Sequence, residues 1–91
     1  MNVRLTADAR TDLAQIRQHA SHSGTLALVL AAIVRALRAL KTWPRLGRPG
    51  TVEGTREFLV RRLPFVIVYR LDIGDEDELV VLRLYHIRQD R

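Results

Sequence analysis

Arginine supplies fourteen of the fifteen basic residues in this 91-residue chain, and it carries most of the polar chemistry the sequence can offer. Its planar guanidinium binds phosphate or carboxylate through paired hydrogen bonds, which lysine's point charge does less well. Arg48, Arg56, Arg61, Arg70, Arg83 and Arg88 are the candidates in the C-terminal half, with Glu57 as a possible proton acceptor. His86 is the one histidine in that half, so it is the first choice for proton transfer near neutral pH. Five of the ten acidic residues, Asp72, Asp75, Glu76, Asp77 and Glu78, fall in one short segment. The rest of the chain therefore sets fifteen basic residues against five acidic ones and carries a charge of +10. Such a surface attracts a polyanion or an acidic protein segment.

Other chemistries are not expected. Without cysteine there is no disulfide and no thiolate metal site, and three scattered histidines have no metal-ligand spacing. Serine-nucleophile, Walker and dinucleotide patterns are missing, so no cofactor is expected. Aromatic residues are too few for the interleaved basic and aromatic pattern of single-strand binders, although a plain basic nucleic-acid-binding module stays open. The N-terminus lacks the apolar run of a signal peptide, and the apolar stretch Leu26 to Val34 is far short of a bilayer span. A soluble cytoplasmic protein with no membrane contact is the expectation.

These residues must be positioned by one domain spanning 1–91, since the chain is too short for two cores. Asn2 to Leu5 reads as a short strand, and Thr6 as the N-cap of a helix carrying Ala9, Leu13, Ile16 and Ala20 at helical spacing. That helix ends near Ser23-Gly24, with His19 and His22 suited to its C-terminal dipole. A second helix, Thr25 to about Lys41, has an unusually wide apolar face, and Trp43-Pro44 stops it. Trp43 is expected to anchor the core of the resulting helix hairpin. Arg45 to Gly54 reads as loop, followed by strands at about Arg56 to Arg62, Phe65 to Leu71 and Leu79 to His86. The fold class is thus α+β, a short strand, an antiparallel helix hairpin and a three-stranded antiparallel meander.

Strand alternation then sorts the candidates by face. Val66, Val68 and Arg70 share one face of the middle strand, and Phe65, Ile67, Tyr69 and Leu71 the other. The middle strand, apolar on both sides, is expected to be covered on both faces. Arg83 and Tyr85 lie opposite Leu82, Leu84 and His86, which turns His86 toward the helices.

Several local motifs bring a family into view. They are Leu5-Thr6 with Ala9 and Asp12-Leu13, Pro44 with Gly47-Arg48, Gly54-Thr55-Arg56-Glu57, Val68-Tyr69-Arg70 and Leu82-Arg83-Leu84-Tyr85-His86. Together, in the order strand, helix, helix, strand, strand, strand, they resemble the RelE/ParE superfamily of toxins from bacterial toxin-antitoxin pairs. Gly54-Thr55-Arg56-Glu57 is most similar to the ParE-like branch. That resemblance implies inhibition of DNA gyrase by binding, and a cognate antitoxin with an acidic and apolar tail that forms a hetero-oligomer with the toxin. Arg48, Arg56, Glu57, Arg61, Arg70 and Arg83 are the expected partner-binding residues.

The RelE-like branch implies instead a ribosome-dependent cut in messenger RNA, in which a 2′-hydroxyl attacks the adjacent phosphate. A base, an acid and a cation for the phosphorane would be required. His86, Arg83, Arg88 and Arg70 would carry those roles. The chain departs from that pattern at Val66, where cutting members have a basic residue, and at Ile87, where they have tyrosine or arginine.

Overall fold

The computed structural model describes residues 1–74 and 76–88. Asp75 of the acidic segment and positions 89–91 lie outside the described residues. Strand β1 (Asn2–Leu5) leads into helix α1 (Ala7–Ser23), and helix α2 (Leu26–Thr42) returns antiparallel to it. Strands β2 (Arg48–Pro49), β3 (Arg56–Leu59), β4 (Phe65–Asp72) and β5 (Glu78–His86) complete the chain. The helices form where expected and for the expected reasons. Thr6 accepts a hydrogen bond from the Ala9 N–H at 3.2 Å, and Gly24 ends α1 in the left-handed conformation at φ 75°.

The sheet has the order β1-β5-β4-β3-β2. The antiparallel meander β3-β4-β5 is its centre, and two edge strands extend it. β1 pairs parallel to β5, Asn2 opposite Glu78 through Leu5 opposite Val81. β2, inside the segment read as loop, pairs Arg48 with Glu57 and Pro49 with Arg56. A two-residue strand has no periodicity to read, so the sequence carries no signal for it. β3 also stops at Leu59 rather than Arg62, because Val60 to Leu63 make the turn into β4, with the Leu63 N–H on the Val60 carbonyl at 3.2 Å.

One core lies between the helix pair and one face of the sheet. It joins Ile16, Ile33, Ala36 and Leu40 to Val60, Ile67, Tyr69, Leu79, Val81 and Leu84. Leu79, Val81 and Leu84 share that face because of a bulge. Val68 pairs with Arg83 but Tyr69 with Val81, so Leu82 is an extra residue in β5. This corrects the alternation that grouped Leu82 with Leu84 and His86: Leu82 lines a groove on the opposite face.

Trp43 is a second correction. It is 67% exposed rather than part of the core, because Leu40 already closes the end of α2, fully buried, and the chain turns outward at Trp43. Among the described residues no helix is long and apolar enough to cross a membrane.

Candidate functional site

The face of the sheet turned away from the helices, here called the open face, is bordered by the four ion pairs found among the described residues. Val66, Val80 and Tyr85 are buried there without joining the helix-side core. The segment between β2 and β3 folds across it, so Thr51, Val52 and Thr55 face Glu57, Val68, Leu82, Arg83 and Tyr85 across a groove of about 590 Å³. Gly50 permits that fold, since a Cβ there would collide with the Thr55 hydroxyl.

Among the described residues four arginines border the open face, and each has a carboxylate. Arg48 stands 3.7 Å from Glu57, which is 6% exposed. Arg4 contacts Glu78 at 3.1 Å, Arg70 contacts Asp72, and Arg83 holds Asp12 through two hydrogen bonds of 2.7 and 3.0 Å. The hydrogen bond to Asp12, and then its charge, raises the already high pKa of Arg83 further.

Asp12 also accepts the Leu84 N–H at 2.9 Å. Beyond Leu5 no strand among the described residues lies beside this edge of β5, and this carboxylate on α1 takes up the backbone donor a strand would have used. Thr6 acts similarly, donating its hydroxyl to the carbonyl of the bulged Leu82 at 3.0 Å. Asp12 is a residue whose role the sequence reading missed. The signal was available, because Asp12 falls on the buried stripe with Ala9 and Ile16 rather than on the exposed side of α1.

Arg56 points the other way from Glu57. Its guanidinium donates to the carbonyls of Gly47 at 2.6 Å and Arg45 at 3.2 Å, fastening the segment after α2 to β3. Next to it the fully buried Tyr69 hydroxyl donates to the Pro44 carbonyl at 2.6 Å and accepts the Gly47 N–H at 3.0 Å. Burial raises the Tyr69 pKa, with the Gly47 hydrogen bond and the Arg56 charge acting against it.

Whereas the Arg83 guanidinium reaches Asp12 on α1, His86 lies across the sheet from Arg70. It borders a pocket of about 370 Å³ under α1 with Ile16, His19, Phe65 and Leu84. Its ring meets Phe65 edge to face, centroids 5.6 Å apart, and its Nδ1 accepts the Arg88 N–H at 3.1 Å. That hydrogen bond assigns Nδ1 as the unprotonated nitrogen.

Arg61 belongs to neither group. With Arg62 and Arg35 it rims a groove of about 570 Å³ between α2 and β3, floored by Ala32, Ala36, Ala39 and Phe58. Of the sequence candidates, then, Arg48, Glu57, Arg70 and Arg83 share the open face. Arg56, Arg61, His86 and Arg88 stand elsewhere.

Comparison with known proteins agrees with this architecture. A family model described as the ParE toxin of the type II toxin-antitoxin system, parDE, matches residues 3–91. A Sinorhizobium fredii protein named "Putative toxin Y4kP" is 36% identical over 63 residues, 69% of this chain and 62% of that protein, so the match spans less than two thirds of the relative. Among solved structures, the chromosomal ParDE toxin-antitoxin system of P. aeruginosa aligns with a TM-score of 0.69 at 25% identity, covering 94% of this chain and 95% of that one. The RelBE2 toxin-antitoxin complex of Mycobacterium tuberculosis aligns with a TM-score of 0.65 at 32% identity, covering 93% and 95%. The chain belongs to the ParE toxin family of type II toxin-antitoxin systems.

Proposed function

We propose that this toxin arrests growth by binding DNA gyrase, without cutting RNA, and that a cognate antitoxin with an acidic and apolar tail neutralises it. The target is carried over from the ParE family. The observation that supports it here is that His86, beside Phe65 on the helix side, and Arg70, beside Val80 on the open face, project from opposite faces of the sheet, while the Arg83 guanidinium is held by Asp12. Cleavage at a phosphate needs base, acid and cation within reach of one bond. The open-face arginines, moreover, are each engaged by a carboxylate.

The groove between α2 and β3 suits the antitoxin tail. Small alanines let a segment approach closely, Arg35, Arg61 and Arg62 meet its carboxylates, and the outer edge of β3 is unpaired by β2 beyond Glu57. A ribonuclease reading keeps one foothold. Glu57, Arg83 and Tyr85 face one groove, with Arg48 3.7 Å from Glu57, so a base other than histidine is present on the open face.

Brief induction in bacteria lacking the antitoxin, with transcriptome-wide mapping of messenger RNA 5′ ends and a gyrase supercoiling assay on the purified chain, tests the proposal. Arrest with inhibited supercoiling and no new 5′ ends is expected, and His86→Ala should leave toxicity intact. Codon-phased cuts lost in Glu57→Gln would establish the nuclease instead.

A further inference from the structure

Three segments far apart in sequence bring exposed apolar side chains to one end of the sheet. Met1 before β1, Trp43 and Leu46 after α2, and Ile73 after β4 surround a cleft of about 460 Å³ with Pro44 and Leu71. Trp43 is 67% exposed, Ile73 68% and Leu46 51%. Such a cluster departs from a monomer's scattered surface leucines and marks a contact site.

The backbone beneath the cluster is firmly held. The Trp43 N–H donates to the Ala39 carbonyl at 2.7 Å, the Leu46 N–H to the Trp43 carbonyl at 3.0 Å, and the Pro44 carbonyl takes the Tyr69 hydroxyl. The backbone that carries Trp43 and Leu46 is therefore held in place, and little main-chain ordering is needed there for a partner to cover them.

The charges around the cluster identify the partner. Next to Met1 lies the acidic segment, tied to β1 where the Asn2 N–H donates to the Asp77 carbonyl at 3.1 Å. Glu76 and Asp77 are exposed there and make no ion pair among the described residues. Arg45 itself lines the cleft, also without an ion pair among the described residues, and Lys41 is exposed in the last turn of α2. An apolar centre flanked by both exposed acids and exposed cations can meet a second copy of itself under a two-fold axis. Rotation brings the acids of each copy to the cations of its mate. An acidic antitoxin tail would instead meet the acidic segment and be repelled.

We infer that this end of the sheet is a homodimer contact, in which Trp43 of one copy packs against the same patch of a second copy. The inference does not depend on the toxin's target. The patch is small, so the dimer dissociates on dilution rather than being obligate.

Trp43 is the only tryptophan, which makes the test direct. Sedimentation of the purified full chain over a dilution series should show monomer and dimer in exchange, with the Trp43 emission moving to shorter wavelength as the dimer forms. Trp43→Ala should weaken association at least about thirtyfold, as loss of a central interface tryptophan does. Arg45→Glu should weaken it about fivefold, Glu76→Arg with Asp77→Arg about as much, and the three together should restore it. A monomer with water-exposed emission at every concentration would overturn the inference. So would a dimer indifferent to these substitutions, or an emission shift seen only when an acidic antitoxin tail is added.

Discussion

The two faces of β4 come from one nearly continuous apolar run, yet they anchor their polar atoms in different ways. On the helix side, Phe65, Ile67 and Tyr69 pack beneath α1 and α2, and the single polar group, the Tyr69 hydroxyl, is tied to backbone at Pro44 and Gly47. On the open side Val66, Val68 and Arg70 lie among ion pairs between side chains, several of them half exposed. Hydrogen bonds between a buried group and fixed backbone have no substitute in water when one member is lost. Exposed ion pairs exchange easily for water or for a partner's charge. Substitutions on the helix side should therefore register as stability, and those on the open side as binding.

Asp12 belongs to both regimes, so it gives the largest effect and the sharpest test. Asp12→Ala removes the acceptor of the Leu84 N–H, and chemical denaturation should show a loss of about 2–3 kcal/mol. The same change releases Arg83 into the open face, where binding of a polyanion should not weaken. Asp12→Asn, which can still accept that N–H, should recover at least half of the stability. If Asp12→Ala proved neutral, the division between faces would fail at its junction.

Gly47 tests the helix side alone. An added Cβ would stand 2.7 Å from the Tyr69 hydroxyl oxygen and 3.0 Å from the Glu57 carbonyl. Tyr69 is fully buried and cannot swing away, so Gly47→Ala should cost about 2 kcal/mol in equilibrium unfolding. An unchanged midpoint would mean that the segment from Pro44 to Gly47 is free to move.

Tyr69→Phe should cost about 1 kcal/mol at neutral pH, from the lost hydrogen bonds. Its pH dependence has a definite sign. The folded pKa is raised, so the neutral phenol is favoured in the native state; that contribution is whole below the unfolded value of about 10 and fades as pH rises through the higher folded value. Alkaline unfolding of the wild type should therefore steepen above about pH 10, and Tyr69→Phe should lessen that slope.

How much of this could be read from the residues alone follows the range of the interactions. Thr6, Gly24, the two helices, the faces of β4 and the turning of His86 toward α1 rest on local periodicity and capping, and all were legible. The bulge at Leu82, the pairing of Arg48 with Glu57 and the reach of Asp12 to Leu84 depend on contacts between elements, which no window along the chain contains. Trp43 misled for a related reason. Its apolar bulk argues for burial, but Leu40 had already filled the end of the hairpin.

The smallest effect concerns the turn between β3 and β4, where Arg62 adopts a left-handed conformation at φ 68°. A side chain there costs about 1 kcal/mol or more relative to glycine, partly offset by glycine's greater unfolded freedom. Arg62→Gly should therefore raise stability by about 0.5 kcal/mol in thermal unfolding. It also removes one of the three cations on the groove between α2 and β3. If that groove takes the antitoxin's acidic tail, the same variant should bind the antitoxin several-fold more weakly, with a shallower dependence on salt. Higher stability with weaker binding would mean that the strained arginine is held in place for a partner. Higher stability with unchanged binding would move the antitoxin's charge contacts to the open face, and the comparison between the faces would have to be redrawn around Arg48 and Arg70.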